Sequence, residues 1–330
     1  MKLGNVLITG GTGSFGETFI RYLLNSSAKI NKITVFSRDE YKQYKLLHKF
    51  QHNPKLRMIL GDVKDFDRVN FTIKGSDTII HAAALKQIDT AEYNPFEFIK
   101  TNINGAENIV KSCLESPNTK SVIALSTDKS CKPTSLYGTT KLASDKIFLS
   151  ANHLKGKRNI NFNVVRYGNV FGSRGSVVPH FLSLKKQKKI FEITDPNMTR
   201  FSLTLDEACE SVYWCLKNNI PGALIIPRPK VYKLMDLMHA ISTNAKYKII
   251  GKRVNEKLHE QLLSEEENEH LFEYNNYLLS VSTLNISNFK KKAKFKMKKK
   301  KPIDLTSNKG SFLKINDLRK LINNFESKPK

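Results

Sequence analysis

Three glycines spaced three residues apart constrain the fold of this chain more than any other feature of its sequence. Gly10, Gly13 and Gly16 follow the apolar run Val6-Leu7-Ile8 and open a segment with helical periodicity. Between a strand and a helix, such glycines permit a tight turn, close approach of a pyrophosphate and close helix–strand packing. The context predicts a dinucleotide-binding turn. Its residues are Gly10, Thr12, Gly13, Ser14, Phe15 and Gly16.

Short β-branched runs alternate with helical patterns along the first half of the chain. The runs are Val6–Ile8, Ile33–Phe36, Met58–Leu60, Thr78–Ile80, Ser121–Leu125 and Phe162–Val165. This alternation is typical of βαβ units around a parallel sheet. We therefore predict an α/β fold with a doubly wound parallel sheet of the Rossmann type over residues 1–170, completed by later segments. Residues 171–330 are predicted to form a smaller substrate-binding region.

Composition excludes several classes of protein. A chain of 330 residues that is 40% hydrophobic and 26% charged is neither fibrous nor wholly disordered. No apolar run reaches the length of a membrane span, and the N-terminus has no signal-peptide pattern, so we expect a cytoplasmic protein. The four cysteines have no metal-ligand or disulfide spacing, which predicts buried thiols and no metal site.

The charge of the chain is unusual, because 55 basic and 30 acidic residues give a net charge of +25. Lysines outnumber arginines 44 to 11, whereas base recognition favours arginine, so nucleic acid is not the expected partner. Nine lysines lie within Lys290–Lys301, which we predict to be a mobile loop. The alternative for this run is peripheral contact with an anionic membrane surface. The helical spacing of Leu313, Leu318, Leu321 and Ile322 predicts that the C-terminus docks back onto the fold.

Ser37 and Arg38 stand where an acidic residue would bind an adenosine ribose, at the end of the second predicted strand. A hydroxyl and a guanidinium suit a 2′-phosphate, which favours NADP over NAD, although Asp39 would repel that phosphate if it pointed inward. The ends of the third and fourth strands complete the predicted cofactor site. Their residues are Asp62, Val63 and Ala82.

The fifth predicted strand ends in Thr127-Asp128-Lys129, where parallel sheets bind ligands. Tyr137 and Lys141 follow with i, i+4 spacing, which puts the phenol and the ammonium on one helix face. Two other Tyr-x-x-x-Lys pairs occur, but neither follows a strand that carries these groups. A nearby cation lowers the pKa of a tyrosine, so Tyr137 is a candidate base for a substrate hydroxyl, with Thr127 bonded to the same oxygen.

These features resemble the extended short-chain dehydrogenase/reductases, and among them the inverting UDP-N-acetylglucosamine 4,6-dehydratases. The similarity runs from about residue 3 to 282 and resumes over Thr306–Ile322. The segments that carry it are Ser37–Glu40, His81–Lys86, Leu125–Lys129, Arg166–Val170, Ser173–Pro179, Met198–Phe201 and Glu256–Glu260. Two departures are Val254-Asn255, where the family has Pro-Gly, and the basic run Lys290–Lys301.

The resemblance implies an NADP-dependent hydro-lyase that serves pseudaminic acid or a related amino sugar. After oxidation at C4 of the sugar, Lys129 would remove the C5 proton and Asp128 would protonate the leaving C6 hydroxyl. Adjacent Asp and Lys side chains normally form an ion pair, whereas this chemistry needs a neutral lysine and a protonated aspartate. Val170 would contact the cofactor, and Lys86 either the cofactor or the sugar.

The resemblance also implies residues that bind UDP-N-acetylglucosamine, and a homo-oligomer, either a dimer or a hexamer. The implied substrate-binding residues are Asn169, Arg174, Gly175, Ser176, Val177, Val178, Arg253 and Glu256. An alternative enzyme on the same fold is a UDP-sugar 4-epimerase, which has no need for Asp128 and Lys129 beside Thr127. The non-enzyme alternative is a basic protein that binds nucleic acid or a membrane surface through Lys290–Lys301.

Overall fold

The computed structural model describes residues 1–173 and 175–327. Its strands are β1 (Lys2–Thr9), β2 (Lys29–Ser37), β3 (Leu56–Leu60), β4 (Thr78–His81), β5 (Ser121–Thr127), β6 (Asn161–Tyr167), β7 (Asn169–Val170), β8 (Phe191–Ile193), β9 (Thr199–Leu203), β10 (Leu224–Pro227), β11 (Lys230–Lys233), β12 (Tyr247–Ile249), β13 (Leu271–Tyr274), β14 (Tyr277–Ser280) and β15 (Lys298–Lys299).

The helices alternate with these strands along most of the chain. They are α1 (Ser14–Leu24), α2 (Glu40–Lys49), α3 (Phe66–Ile73), α4 (Ile88–Tyr93), α5 (Pro95–Phe98), α6 (Gly105–Glu115), α7 (Leu136–Leu154), α8 (Val177–Lys186), α9 (Leu205–Lys217), α10 (Leu234–Ile241), α11 (Ile286–Lys292) and α12 (Ile315–Glu326). A π-helical turn over Ile99–Asn104 leads into α6, and a 3-10 turn over Asp128–Ser130 follows β5.

In the described part of the chain, ten strands form one sheet in the order β15-β13-β14-β10-β6-β5-β4-β1-β2-β3. The seven strands from β10 to β3 in this order are parallel to their neighbours, whereas β14, β13 and β15 are antiparallel. The predicted fold class, a doubly wound parallel sheet, is confirmed. The strand order reverses between β1 and β4, and ligands bind at such a switch point.

Helices cover both faces of the sheet. On one face, Phe19 and Ile20 of α1 and Val212 of α9 join the apolar side chains of the central strands. On the other face, Ile109 of α6 and Phe148 of α7 do the same. Because both faces are buried, the central strands are continuous apolar runs, which explains why their sequence pattern could be recognised.

A third apolar cluster lies in the second half of the chain. It joins α8, β8, α10 and α12, and Leu318 and Ile322 of α12 are buried within it. The predicted docking of the C-terminal helix is therefore confirmed. Beside this cluster, β11, β9 and β7 form a small sheet, and β9 leads from it into α9 against the main sheet.

The prediction of a mobile loop over Lys290–Lys301 is wrong in part. The run begins in α11 and ends in β15, which pairs with β13 at the edge of the main sheet. Between them, Phe295 and Met297 pack against the core while the intervening lysines are exposed. The alternation of apolar and charged residues, rather than the charge alone, determines how the segment folds.

The structure also bears on two predictions made from composition. Within the described ranges, no helix is long and apolar enough to cross a membrane. The four cysteines are buried, as predicted. Among the same described residues, no group of three His, Cys, Asp or Glu side chains is placed to hold a metal ion.

Candidate active site

A cleft of about 1060 Å³ lies at the carboxyl ends of the parallel strands. The predicted site residues that line it are Gly10, Thr12, Gly13, Ser14, Phe15, Gly16, Ser37, Arg38, Asp62, Val63, Ala82, Lys86, Thr127, Asp128, Lys129, Tyr137, Lys141, Asn169, Val170, Gly175, Ser176, Val177, Arg253 and Glu256. Of the other predicted residues, Val178 is not among those lining the cleft, and Arg174 lies outside the described residues. The fold thus brings side chains from both halves of the chain to one cleft.

The glycine turn has the geometry that a dinucleotide requires. Gly10 has φ of +64°, and a Cβ there would lie 2.8 Å from the backbone of Ala83. A Cβ at Gly16 would lie 2.4 Å from Gly11, so both positions exclude side chains. No side chain caps the N-terminus of α1 at Gly13, which leaves its amide groups directed at the cleft. These open amides fit a pyrophosphate.

The adenosine end of the cleft carries two cations, Arg38 and Lys42, and two carboxylates, Asp39 and Asp62. Asp39 caps α2 by accepting a bond from the Lys42 amide at 2.9 Å, and it pairs with the Lys42 ammonium at 2.9 Å. The lysine partly neutralises Asp39, which reduces the repulsion of a 2′-phosphate expected from the sequence. Arg38 is exposed, with its guanidinium 3.6 Å from Asp62, and the side chain of Gln43 fixes Ser37. Sequence reasoning missed Lys42, which its position one turn into α2 could have indicated.

The segment that follows β4 is fixed by a buried amide. Asn102 lies in the π-helical turn, where its side chain both accepts from the Leu85 amide and donates to the Leu85 carbonyl, each at 2.9 Å. Its amide group also donates to Thr140 of α7 at 3.1 Å. These bonds hold Ala82 and Lys86 at the cleft and tie the cofactor side of the site to the helix that carries Tyr137.

Tyr137 lies in the first turn of α7, which Ser135 caps by accepting from the Gly138 amide. Burial raises the pKa of Tyr137 to about 12, while the Lys129 ammonium and a hydrogen bond with Thr127 act to lower it. The expectation that Lys141 lowers this pKa is not met. The Lys141 ammonium instead donates to the Leu125 carbonyl at 2.9 Å.

Asp128 and Lys129 form the ion pair that their adjacency suggested. The Lys129 ammonium lies 2.9 Å from Asp128 Oδ1, and Thr127 donates to the same carboxylate oxygen at 3.0 Å. Burial raises the pKa of Asp128, and the nearby Glu260 carboxylate raises it further. Burial lowers the pKa of Lys129, but Asp128 and Glu260 outweigh burial and raise it. The pair therefore holds a proton tightly between an acid and an amine.

The residues predicted to bind the nucleotide line the opposite wall. Ser176 precedes α8, and its buried hydroxyl has no hydrogen-bond partner among the described residues. Glu256 pairs with Arg200 at 3.1 Å, whereas Arg253 is exposed. Lys86 is exposed at the rim of the cleft.

The two remaining predicted substrate residues are Val178 and Arg174. Val178 is buried in the apolar cluster of α8 and α10 and does not line the cleft, so its assignment to the substrate site is wrong. In the first turn of a helix, its neighbours Val177 and Pro179 face the cleft while Val178 faces inward. Arg174 lies outside the described residues.

Sequence reasoning also missed two charged residues of the cleft. Arg200 and Glu260 both line it, and both lie in segments that carried the family resemblance, Met198–Phe201 and Glu256–Glu260. No local spacing connects either residue to Lys129, because the sheet brings them together only in the folded chain.

Residues 6–282 match the model of a family described as polysaccharide biosynthesis protein. An inverting UDP-N-acetylglucosamine 4,6-dehydratase of Campylobacter jejuni is 47% identical over 274 residues, which cover 83% of this chain and 81% of that protein. A protein of Rickettsia bellii named UDP-glucose 4-epimerase is 40% identical over 268 residues, 79% of this chain and 78% of that protein.

Solved structures share the fold. The structure of Pen from Bacillus thuringiensis is 34% identical, with a TM-score of 0.88, and the match covers 98% of this chain and 99% of Pen. DesIV, a dTDP-glucose 4,6-dehydratase from Streptomyces venezuelae solved with NAD and TYD bound, is 19% identical with a TM-score of 0.68. That match covers 77% of this chain and 86% of DesIV, and at this identity it supports the fold alone.

Proposed function

This chain belongs to the family of polysaccharide biosynthesis proteins, and on that premise we propose that it is an inverting UDP-N-acetylglucosamine 4,6-dehydratase. The observation that carries the proposal is the Asp128–Lys129 pair, joined at 2.9 Å beside Tyr137 at the carboxyl end of β5, with Asp128 buried and Lys129 partly buried. Such a pair offers an acid and a base to adjacent carbons of a bound sugar. A 4-epimerase, the alternative enzyme, has no step that needs both.

Oxidation at C4 prepares the sugar for loss of water. A nicotinamide dinucleotide held at the glycine turn would accept the C4 hydride and later return it to C6. Tyr137 would take the proton of the C4 hydroxyl, while Thr127 donates a hydrogen bond to the same oxygen. Because burial raises the pKa of the phenol to about 12, Tyr137 depends on a nearby cation, and Lys129 is one.

Elimination follows from the acidity of the C5 proton beside the C4 carbonyl. Lys129 would take this proton as the C5–H bond breaks, and Asp128 would protonate the C6 oxygen, which leaves as water. One proton moving from the lysine to the aspartate along their 2.9 Å contact turns the ion pair into the required base and acid. Taking the C5 proton recharges Lys129 and protonating the C6 oxygen ionises Asp128, so the elimination itself restores the ion pair and needs no outside proton donor.

Return of the hydride to C6 and transfer of a solvent proton to the opposite face of C5 would complete the reaction. The product would be UDP-2-acetamido-2,6-dideoxy-beta-L-arabino-hexos-4-ulose, which makes the enzyme a hydro-lyase. We place it in the cytoplasm, in the supply of pseudaminic acid or a related amino sugar. We also propose a homo-oligomer, either a dimer or a hexamer.

Nuclear magnetic resonance of the purified protein with NADP and UDP-N-acetylglucosamine in D2O tests the function. We expect the C6 hydroxymethyl signals to be replaced by a methyl signal and deuterium to appear at C5. A 4-epimerase would instead change the configuration at C4, keep the C6 hydroxyl and leave C5 undeuterated. An unchanged sugar spectrum would overturn both assignments.

We propose NADP rather than NAD as the cofactor. Two cations at the adenosine end of the cleft support this choice, because Arg38 and Lys42 would face a 2′-phosphate and Lys42 already pairs with Asp39. Asp62, Val63 and Ala82 would line the adenosine and the path to the nicotinamide, with Val170 and Lys141 nearby.

Replacing Arg38 with alanine tests the choice of cofactor. We expect NADP binding to weaken about tenfold, the size of one lost charge-assisted hydrogen bond, and NAD binding to change little. Titration calorimetry with both dinucleotides measures this. Arg21→Ala is the matched control, because Arg21 is an exposed arginine that does not line the cleft. An equal loss for both dinucleotides would contradict the role of Arg38.

The lysine run Lys290–Lys301 is also predicted to contact an anionic partner. In the described structure its charges face solvent, with Lys300 paired to Glu273. Point charges on flexible side chains suit an anionic membrane better than a base sequence. Peripheral membrane contact through this run remains a prediction.

A further inference from the structure

A second buried carboxylate contacts the lysine of the proposed acid–base pair. Glu260 Oε1 lies 3.2 Å from the Lys129 ammonium, and the glutamate side chain is 5% exposed. Its backbone is fixed by Ser307, which accepts from the Glu260 amide at 2.9 Å and whose own amide donates to the Glu260 carbonyl at 2.8 Å. Glu260 therefore reaches Lys129 from a rigid segment about 130 residues away in sequence.

The contacts of Lys129 use its full capacity to donate. An ammonium has three N–H groups, and Asp128, Glu260 and Asn169 lie at 2.9, 3.2 and 3.1 Å from it. Both carboxylates keep one buried oxygen without a partner in the described structure, Asp128 Oδ2 and Glu260 Oε2. Because Asp128, Lys129 and Glu260 all line the cleft, the cluster is built around the lysine at the cleft wall.

The surroundings of the two carboxylates differ. Lys129 is the cation that acts most strongly on Asp128, whereas Lys129, Arg200 of β9 and Lys257 of its own segment all lower the pKa of Glu260. Tyr137 of α7 and Tyr232 of β11 also face the cluster. Three cations stabilise a negative charge at Glu260, so the mobile proton is shared by Asp128 and Lys129, while Glu260 stays ionised.

We propose that Glu260 is a positioning residue for the Asp128–Lys129 pair: its carboxylate aims the lysine amine, and its fixed negative charge keeps the mobile proton on the pair. The inference rests on the proposed dehydratase function and names a residue that acts through Lys129. The charge of Glu260 raises the pKa of both Asp128 and Lys129. Its removal therefore lets both groups lose their protons at lower pH.

The test is the dependence of kcat on pH in Glu260→Gln, a substitution that removes the charge and keeps the shape of the side chain. We expect kcat at the optimum to fall about tenfold because the lysine is less well aimed, with KM nearly unchanged. We also expect both limbs of the profile to move to lower pH by about one unit, since a neighbouring charge shifts a pKa by this order. A structural role would lower the amplitude and leave the limbs in place.

Two further variants make the outcome specific. Glu260→Asp keeps the charge and shortens the side chain, so its kcat should fall while its limbs stay at the wild-type pH. Glu265→Gln removes an exposed carboxylate that also pairs with a lysine, Lys132 at 3.0 Å, and should leave kcat and profile unchanged.

Each result supports or overturns the inference. The inference is overturned if the limbs of the pH profile do not move in Glu260→Gln, or if they move in Glu260→Asp. In either case the wild-type protein still dehydrates the sugar, so the proposed function is unaffected. If Glu260→Gln fails to fold, Glu260→Ala, which also removes the charge, takes its place, and the position of its limbs decides. Absence of dehydration by the wild-type protein is a failure of the proposed function, which the same assay shows before any variant is compared.

Discussion

Replacing Lys129 with alanine is expected to abolish dehydration of UDP-N-acetylglucosamine while NADP remains bound. Removal of a positioned base typically costs about 10²- to 10⁴-fold in rate, and among the described residues no other amine occupies the point where Asp128, Glu260 and Asn169 converge. Loss of the methyl product and of C5 deuteration in the NMR assay measures the effect. Titration calorimetry with NADP shows whether the glycine turn is intact.

The control for this substitution is Lys132→Ala. Lys132 lies three residues along the chain, is exposed and also pairs with a glutamate, so its loss removes a lysine without touching the cleft. Lys129→Met keeps the bulk of the side chain and separates the loss of the amine from the loss of packing. If Lys129→Ala dehydrates the sugar at the wild-type rate, Lys129 is not the base, and the Asp128–Lys129 pair loses its proposed chemistry.

The parts of the fold that could be predicted are those encoded in neighbouring residues. Strands buried on both faces are short apolar runs, and the turn after β1 needs glycine, so both are visible in the sequence. The C-terminal helix was predicted from the spacing of its leucines, and Leu318 and Ile322 are indeed buried. In each case the signal lies within one element.

The errors share a physical cause, which is that packing chooses among alternatives that the sequence leaves open. Lysine content favoured a loop at Lys290–Lys301, but Phe295 and Met297 fasten the segment to the core. Val178 was assigned to the substrate because it belongs to a loop that the family resemblance implies, yet the first turn of α8 directs its side chain inward. Tyr137 was assigned a lowered pKa from a lysine one turn away, whereas burial dominates.

The candidate site shows the same division. Asp128 and Lys129 are adjacent in sequence, so their pairing could be expected, whereas the contact between Lys129 and Glu260 depends on a segment that returns from the second half of the chain. Arg200 likewise reaches Glu256 only through the small sheet that contains β9. The chemical groups were therefore visible in the sequence, but their electrostatic environment was not.

A buried charge network supports the strand end on which this chemistry depends. Arg166 of β6 is fully buried and lies 3.0 Å from Asp145 of α7 and 2.8 Å from Glu267. Asp145 also accepts from Ser126 at 2.6 Å and from Ser130 at 2.9 Å, on either side of Thr127-Asp128-Lys129. The network thus joins β5, β6, α7 and the segment of Glu267 directly behind the site.

Arg166→Met is expected to lower the free energy of unfolding by about 3–5 kcal/mol, because it leaves two buried carboxylates without their cation. Arg228→Met, which breaks an exposed pair with Glu273, should cost at most about 1 kcal/mol. Denaturant titration of both variants measures the difference. Equal losses of unfolding free energy in the two variants would show that burial does not determine how much these ion pairs contribute to stability.

The pH dependence of the Arg166→Met loss identifies its cause. Burial acts to raise the pKa of Glu267, but Arg166 outweighs it, so in the wild type this pKa lies below its usual range. Ionised Glu267 therefore stabilises the wild-type fold at pH values above the pKa that Glu267 has in the unfolded chain. This contribution is lost as the pH falls through the lower pKa that Glu267 has in the folded protein. Without Arg166, burial raises the pKa of Glu267, and protonation relieves the unpaired charge. The stability deficit of Arg166→Met should consequently shrink between neutral pH and about pH 4, where glutamate titrates, whereas a deficit independent of pH would point to lost packing instead.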